Sequence, residues 1–336
     1  MNRLQERKLR NLISETVQKT LRRRLKEDTA GDVAKTYKSG PGSVRSFVDS
    51  GPKDLKDVLQ GDFDGNPDDD KISVGSPSMV DVGGLKATQS EIDLMKSVGF
   101  PLGGFEALKG MITSNTSSAE GSITISGDLV LDGHHRWSGV VGICGPSGQI
   151  SAQNLGIPGS DKEKLAASQL AIAAYMPAGQ KMPSASDAIP YNILGANSGK
   201  IKKMILDNVG KKTDKRAPGP LLNDEMIEQC SKDDVIANWA GFEVGASPEE
   251  VKEAIATKVG ENLSTLQKGD APKRADMPQF DDESIGGSKA KVDIYAGMES
   301  GDFNILPPFN KTQKESAAKN GFVLERWQKL AGLIKG

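Results

Sequence analysis

One stretch, Leu129-Val130-Leu131-Asp132-Gly133-His134-His135-Arg136-Trp137, dictates more of the local fold than any other part of the chain. Three apolar residues suited to a buried strand run into Asp132-Gly133, and a helical pattern starts at about His134. A strand ending and a helix beginning within two residues require a tight corner, which glycine takes without a steric penalty. Such a corner turns the amides of the first helical turn outward together with the positive end of the helix dipole, and both favour an anion. Arg136 adds a fork of donors that fits a phosphate, and His134 and His135, the chain's only two histidines, add imidazole donors. His134 shares a helix face with Trp137 and Val141, whereas His135 and Arg136 point elsewhere, so the two histidines have different tasks. The competing structural reading makes Asp132 a simple N-cap and the histidines satisfied packing groups.

The flanking sequence predicts a small α/β module. Met79–Val82 suits a short strand. Thr88-Gln89-Ser90-Glu91 has the spacing of a capping box and opens a helix with Ile92, Met95 and Val98 on one face. A second helix is expected over Phe105–Ile112. Ile123–Ile125 and Leu129–Leu131 read as strands paired across Ser126-Gly127-Asp128. Downstream the periodicity is helical in Lys162–Tyr175, Ile201–Val209 and Asn223–Trp239. A further helix is opened by Ser247-Pro248-Glu249-Glu250, which combines an N-cap, a first-turn proline and first-turn acids.

The division of the chain follows from these patterns. Residues 1–28 read as a basic amphipathic helical arm, with nine Lys/Arg and four Asp/Glu around a leucine-rich stripe. Arg22, Arg23 and Arg24 suit nucleic-acid phosphates, while the continuous stripe suits a protein partner. Residues 29–78 are expected to be a partly disordered linker; their acidic stretch Asp62–Asp70 lacks the glycine and glutamate that a calcium loop requires. Residues 79–160 form the α/β module, 161–267 a helical region, 268–310 an extended Pro/Gly/Asp-rich linker, and 311–336 an amphipathic helix. The fold class is therefore α/β (α+β), a small mixed sheet with helical additions.

Composition removes several functions. A net charge of −2 supplies no global field for nucleic acid or an anionic membrane. No apolar run of about 18 residues suits a membrane span, and no signal peptide is legible at the N-terminus. Cys144 and Cys230 are isolated from each other and from metal-ligand patterns, which fits a reducing, cytoplasmic setting. The signatures of P-loop, hydrolase-elbow and zincin chemistry are absent. Trp137, Trp239 and Trp327 read as core or docking anchors, since none lies in a basic aromatic cluster.

Val80-Asp81-Val82, Leu85-Lys86-Ala87-Thr88-Gln89-Ser90-Glu91-Ile92 and the Leu129–Trp137 stretch together resemble the ParB/sulfiredoxin superfamily, including its free-serine-kinase and ParB-like nuclease branches. The resemblance covers about a quarter of the chain and rests chiefly on the Asp-Gly-His-His-Arg-Trp run. It implies that Gly133, His134, His135 and Arg136, with Thr88 and Gln89, contact the phosphates of ATP or another nucleotide. It further implies catalytic roles for Asp132, His134 and Glu91, with Asp132 as the acid/base or magnesium-binding group. Two departures matter. Sulfiredoxins carry cysteine where this chain has His134, so thiol chemistry is excluded, and CTP-binding partition proteins carry a more basic motif followed by a helix-turn-helix that is not legible here. A Leu-Arg-Asn-Leu-Ile-Ser-Glu helix at residues 9–15, ahead of such a module, also resembles proteins of large tailed marine phages. Three functions follow as expectations: an ATP-dependent phosphotransferase or nucleotide hydrolase, a phage virion or assembly protein using the module as a scaffold, and a DNA-binding or nuclease protein.

Overall fold

The computed structural model describes residues 15–17, 30–51, 55–59, 68, 70–117, 121–177, 179–184, 189–212, 217–303 and 305. The expected arm at 1–28, with Arg22, Arg23 and Arg24, lies almost wholly outside these residues, as does the expected C-terminal helix at 311–336. The chain divides into two compact units, one of residues 73–165 and 183–282, the other of residues 1–72, 166–182 and 283–336.

The first of these units is α+β. Its strands are β1 (Ser78–Asp81), β2 (Lys86–Ala87), β3 (Ile123–Ser126), β4 (Leu129–Asp132), β5 (Gln149–Asn154) and β6 (Gln267–Lys268), in the spatial order β1-β5-β3-β4-β2-β6. The β3–β4 hairpin is antiparallel and turns through Gly127, whose φ of 64° matches the expected turn. β5 returns parallel to β3, and β1 pairs antiparallel to β5. On the other side β2 runs parallel to both β4 and β6, with Lys86 opposite Leu129 and Gln267.

The helices of this unit are α4 (Leu94–Val98), α5 (Phe105–Ser114), α6 (His134–Cys144), α8 (Ser198–Leu206), α9 (Asp224–Ser231), α10 (Asp234–Ala240) and α11 (Pro248–Leu263). The helix α7 (Asp161–Tyr175) crosses from one unit to the other after Leu165. α6 is the hub: α4, α5 and α11 all pack on it. Close packing is possible because α6 carries small residues where helices meet. A Cβ at Gly139 would lie 2.6 Å from the Ser97 carbonyl oxygen, and Ser138 Oγ donates to the His134 carbonyl at 2.8 Å and lies 2.8 Å from Ser97 Oγ. Trp137, 1% exposed, donates its indole N–H to the Val82 carbonyl at 3.0 Å, and Trp239 donates to the Ile143 carbonyl at 2.9 Å. Both are core anchors with a satisfied polar end.

Several boundaries differ from the sequence expectation for definite reasons. The helix expected from Thr88 begins at Leu94, with Asp93 as its cap accepting from the Met95 amide at 2.8 Å. Thr88 is drawn instead onto the end of β2, where its hydroxyl donates to the Val130 carbonyl. The expected Asn223–Trp239 helix is two helices, because Asp233 accepts from the Ile236 amide at 3.0 Å and starts a new one. The Ser247 capping box forms as expected. The expected helical region 161–267 is no separate layer, since Ile201, Met226, Ile255 and Val259 share one core with Ile92, Leu108, Trp137 and Ile150.

The described parts of 29–78 and 268–310, segments expected as linkers, contain more order than their composition suggested, and those up to residue 72 and from residue 283 belong to the other unit. The described helices are α1 (residues 30–39), α2 (Pro41–Asp49), α3 (Leu55–Leu59) and α12 (Gly287–Ser300). The physical reason is burial. Val33, Tyr37, Val44, Ile294 and Met298 lie almost fully inside, too few per segment to stand out among the polar residues. Long-range bonds then tie the pieces together: Arg45 donates to the Met182 carbonyl at 2.9 Å, and the Ile72 amide to the Met298 carbonyl at 2.8 Å.

Two glycine replacements test the packing of α6. Gly139→Ala is expected to lower unfolding free energy by about 1–3 kcal/mol through overpacking. Gly110→Ala on α5, where a Cβ meets nothing within 4 Å, should instead raise it by about 0.5–1 kcal/mol. Urea denaturation of both variants measures the difference, and equal effects would contradict the packing described.

Candidate functional site

The corner between β4 and α6 is made as its sequence demands. Gly133 is the N-cap of α6 with φ 89°, and a Cβ there would sit 2.5 Å from Ile123 Cγ2, so both backbone conformation and space require glycine. The N-cap itself, being glycine, gives the helix no side-chain cap bond, and Asp132 remains the last residue of β4. The amino end of α6 therefore faces a cleft of about 230 Å³.

One wall of that cleft comes from the expected residues. Gln89, Asp132, Gly133, His134, His135 and Arg136 all line it. The same cleft is also lined by Arg274, Met277, Pro278 and Gln279, from the segment expected to be an extended linker. Strand pairing explains its position. The Gly269 amide donates to the Ala87 carbonyl at 2.9 Å, and the Ser90 amide donates to the Pro272 carbonyl at 3.1 Å. The β2–β6 ladder thus continues past its last strand residues and carries the chain alongside Gln89 before a 3-10 turn at Arg274–Asp276. Thr88 and Glu91 are not among the lining residues.

His134 and Thr88 form a clamp at the base of the site. The Thr88 amide donates to His134 Nε2 at 3.2 Å, while the Thr88 hydroxyl, bonded to the Val130 carbonyl, lies 3.3 Å from the same ring nitrogen. A backbone amide can only donate, so Nε2 is the acceptor and the neutral ring carries its proton on Nδ1. The ring stands edge-on to Trp137, with centroids 6.5 Å apart. Burial first, then the nearby Arg274 charge, depress its pKa to about 4 against the opposing pull of Asp132. At neutral pH His134 is an uncharged donor, and positive charge in the cleft comes from the arginines.

Two further observations bear on a ligand. Gln89 is 5% exposed, yet its side-chain nitrogen has no hydrogen-bond partner among the described residues. Arg274 is half-buried and makes no salt bridge among them. Among the described residues no three His, Cys, Asp or Glu side chains converge as a metal cluster. A magnesium ion here would draw on Asp132, on water and on oxygens of the ligand itself, the usual manner of that ion with phosphates. The two thiols are distant from any such role, since burial raises Cys144 to about 11 and Cys230 to about 12.

No protein-family model matches the chain, and neither does any curated protein or solved structure. Among the described residues no helix is long and apolar enough to cross a membrane.

The His134 clamp has a pH signature. The folded pKa lies below the ordinary value of 6.5, so the unfolded chain takes up the proton first. Stability from this group is complete above about pH 6.5 and is lost as pH falls towards about 4, by about 3 kcal/mol in all. His134→Gln, which keeps an acceptor for the Thr88 amide, should flatten unfolding free energy between pH 6.5 and 5. An unchanged slope in that variant would contradict the clamp.

Proposed function

We propose that this chain binds a phosphorylated ligand, the phosphates of ATP or a related nucleotide, in the cleft at the amino end of α6. The observation that carries the reading is the left-handed Gly133 corner, which presents a helix start with a glycine N-cap to a cleft also lined by Arg136. First-turn amides and the helix dipole attract oxyanions, and a guanidinium supplies two parallel donors to a phosphate. The likeness of Leu129–Trp137 to the ParB/sulfiredoxin superfamily, carried by the same residues, agrees with this reading. Asp132, at the rim beside the helix start, is the residue suited to hold magnesium or to accept a proton from an attacking hydroxyl or water. His134 acts as a neutral donor and as the clamp that orients the corner, and His135 lies beside Arg136 on the same wall. On this reading the activity is nucleotide hydrolysis or phosphoryl transfer.

Thermal unfolding with inorganic phosphate, ADP and ATP, each with and without magnesium, tests the proposal. A ligand present at about a hundred times its Kd should add about 2.7 kcal/mol to stability. Arg136→Gln is expected to abolish the shift, and Asp132→Asn to abolish phosphate release from ATP while retaining binding. The absence of any shift with every anion at millimolar concentration would overturn the reading.

A further inference from the structure

Arg274 is far from the Asp-Gly-His-His-Arg run in sequence, but the extended β2–β6 pairing brings it to the lining of the same cleft. Arg136 and Arg274 thus both line one space of about 230 Å³, together with Gly133 at the helix start and Gln89. Arg274 makes no ion pair with a described carboxylate, and the Gln89 side-chain nitrogen is a buried donor with no acceptor among the described residues. A buried donor left unmade costs about 1–3 kcal/mol, so an acceptor in the cleft is the chemical complement to this arrangement. The space is also small. Pockets that bury a whole drug-sized molecule measure about 300–1,000 Å³, so this one encloses a phosphate and its first linkage and leaves the remainder of the ligand outside.

We infer that the cleft selects a terminal, doubly charged phosphate group, a phosphomonoester or the end phosphate of a nucleotide, which Arg136 and Arg274 both grip while the Gln89 amide donates to one of its oxygens. This rests on the phosphate-binding reading above and adds to it the chemical class of the ligand and a second cation. A phosphodiester carries a single charge and two ester linkages. It therefore loses one charge-assisted contact and brings a second substituent into a space sized for one. The chain's partner is accordingly a small phosphorylated molecule, and an internal phosphate of a nucleic-acid strand fits poorly.

Calorimetric titration of the full-length protein with inorganic phosphate, AMP and 3′,5′-cyclic AMP tests this, using the unsubstituted chain and Arg136→Gln, Arg274→Gln and Gln89→Met variants. Phosphate and AMP should bind, and cyclic AMP at least tenfold more weakly. Arg274→Gln should weaken AMP at least tenfold while leaving the melting temperature without ligand nearly unchanged. Gln89→Met should weaken AMP and raise the ligand-free melting temperature, a pair of opposite effects that a structural glutamine would not produce. If AMP and cyclic AMP bind equally, or if Arg274→Gln leaves AMP binding intact while Arg136→Gln removes it, this inference fails and the phosphate site at α6 stands. A lowered ligand-free melting temperature for Gln89→Met also overturns it. If none of the three ligands binds the unsubstituted chain, the phosphate reading itself fails.

Discussion

The bond from the Thr88 amide to His134 Nε2 joins the end of β2 to the start of α6, and the rest of the site is built around it. It is a long-range contact between a buried backbone donor and a buried ring, each of which would be costly unpaired. With Thr88 held there, and its hydroxyl on the Val130 carbonyl, the residue that follows, Gln89, lines the cleft. The ring is neutral in consequence of its burial, so the clamp adds no charge to the place where an anion would sit. Arg136 and Arg274 carry that charge instead.

The helix α6 serves two masters, and its composition reflects both. Its first turn opens at a glycine that no other residue could replace without strain. Its middle is made of Trp137, Ser138, Gly139 and Gly142, which let neighbouring helices approach while one large ring fills the core. Stability is concentrated in the body of the helix, and its amino end lines the cleft. This is the usual distribution in proteins whose sites are held by a rigid scaffold.

Much of the fold was legible because it depends on short-range rules. The β3–β4 hairpin, the corner at Gly133, the helix from His134 and the Ser247 capping box are all decided by residues within a turn or two of each other. Legibility failed where a local signal was outbid. Thr88 and Glu91 have the spacing of a capping box, but the hydroxyl that would cap the helix is used at the sheet. The helix α12 was hidden because its buried positions, Ala290, Ile294, Tyr295 and Met298, stand among lysines, serines and glycines.

The amino-acid sequence by itself determined one part of the candidate site: an apolar strand, a glycine corner and a helix that starts with two histidines and an arginine. These follow from backbone sterics and helix geometry, which act over a few residues. Only the tertiary structure decided that Thr88 and His134 lock together, that Gln89 is buried without an acceptor among the described residues, and that Arg274 lines the same cleft. Those outcomes depend on which strand lies beside β2. A two-residue strand such as β6 has too little pattern of its own to announce its partner; the partner is set by the hydrogen bonds and burial that the assembled sheet makes available.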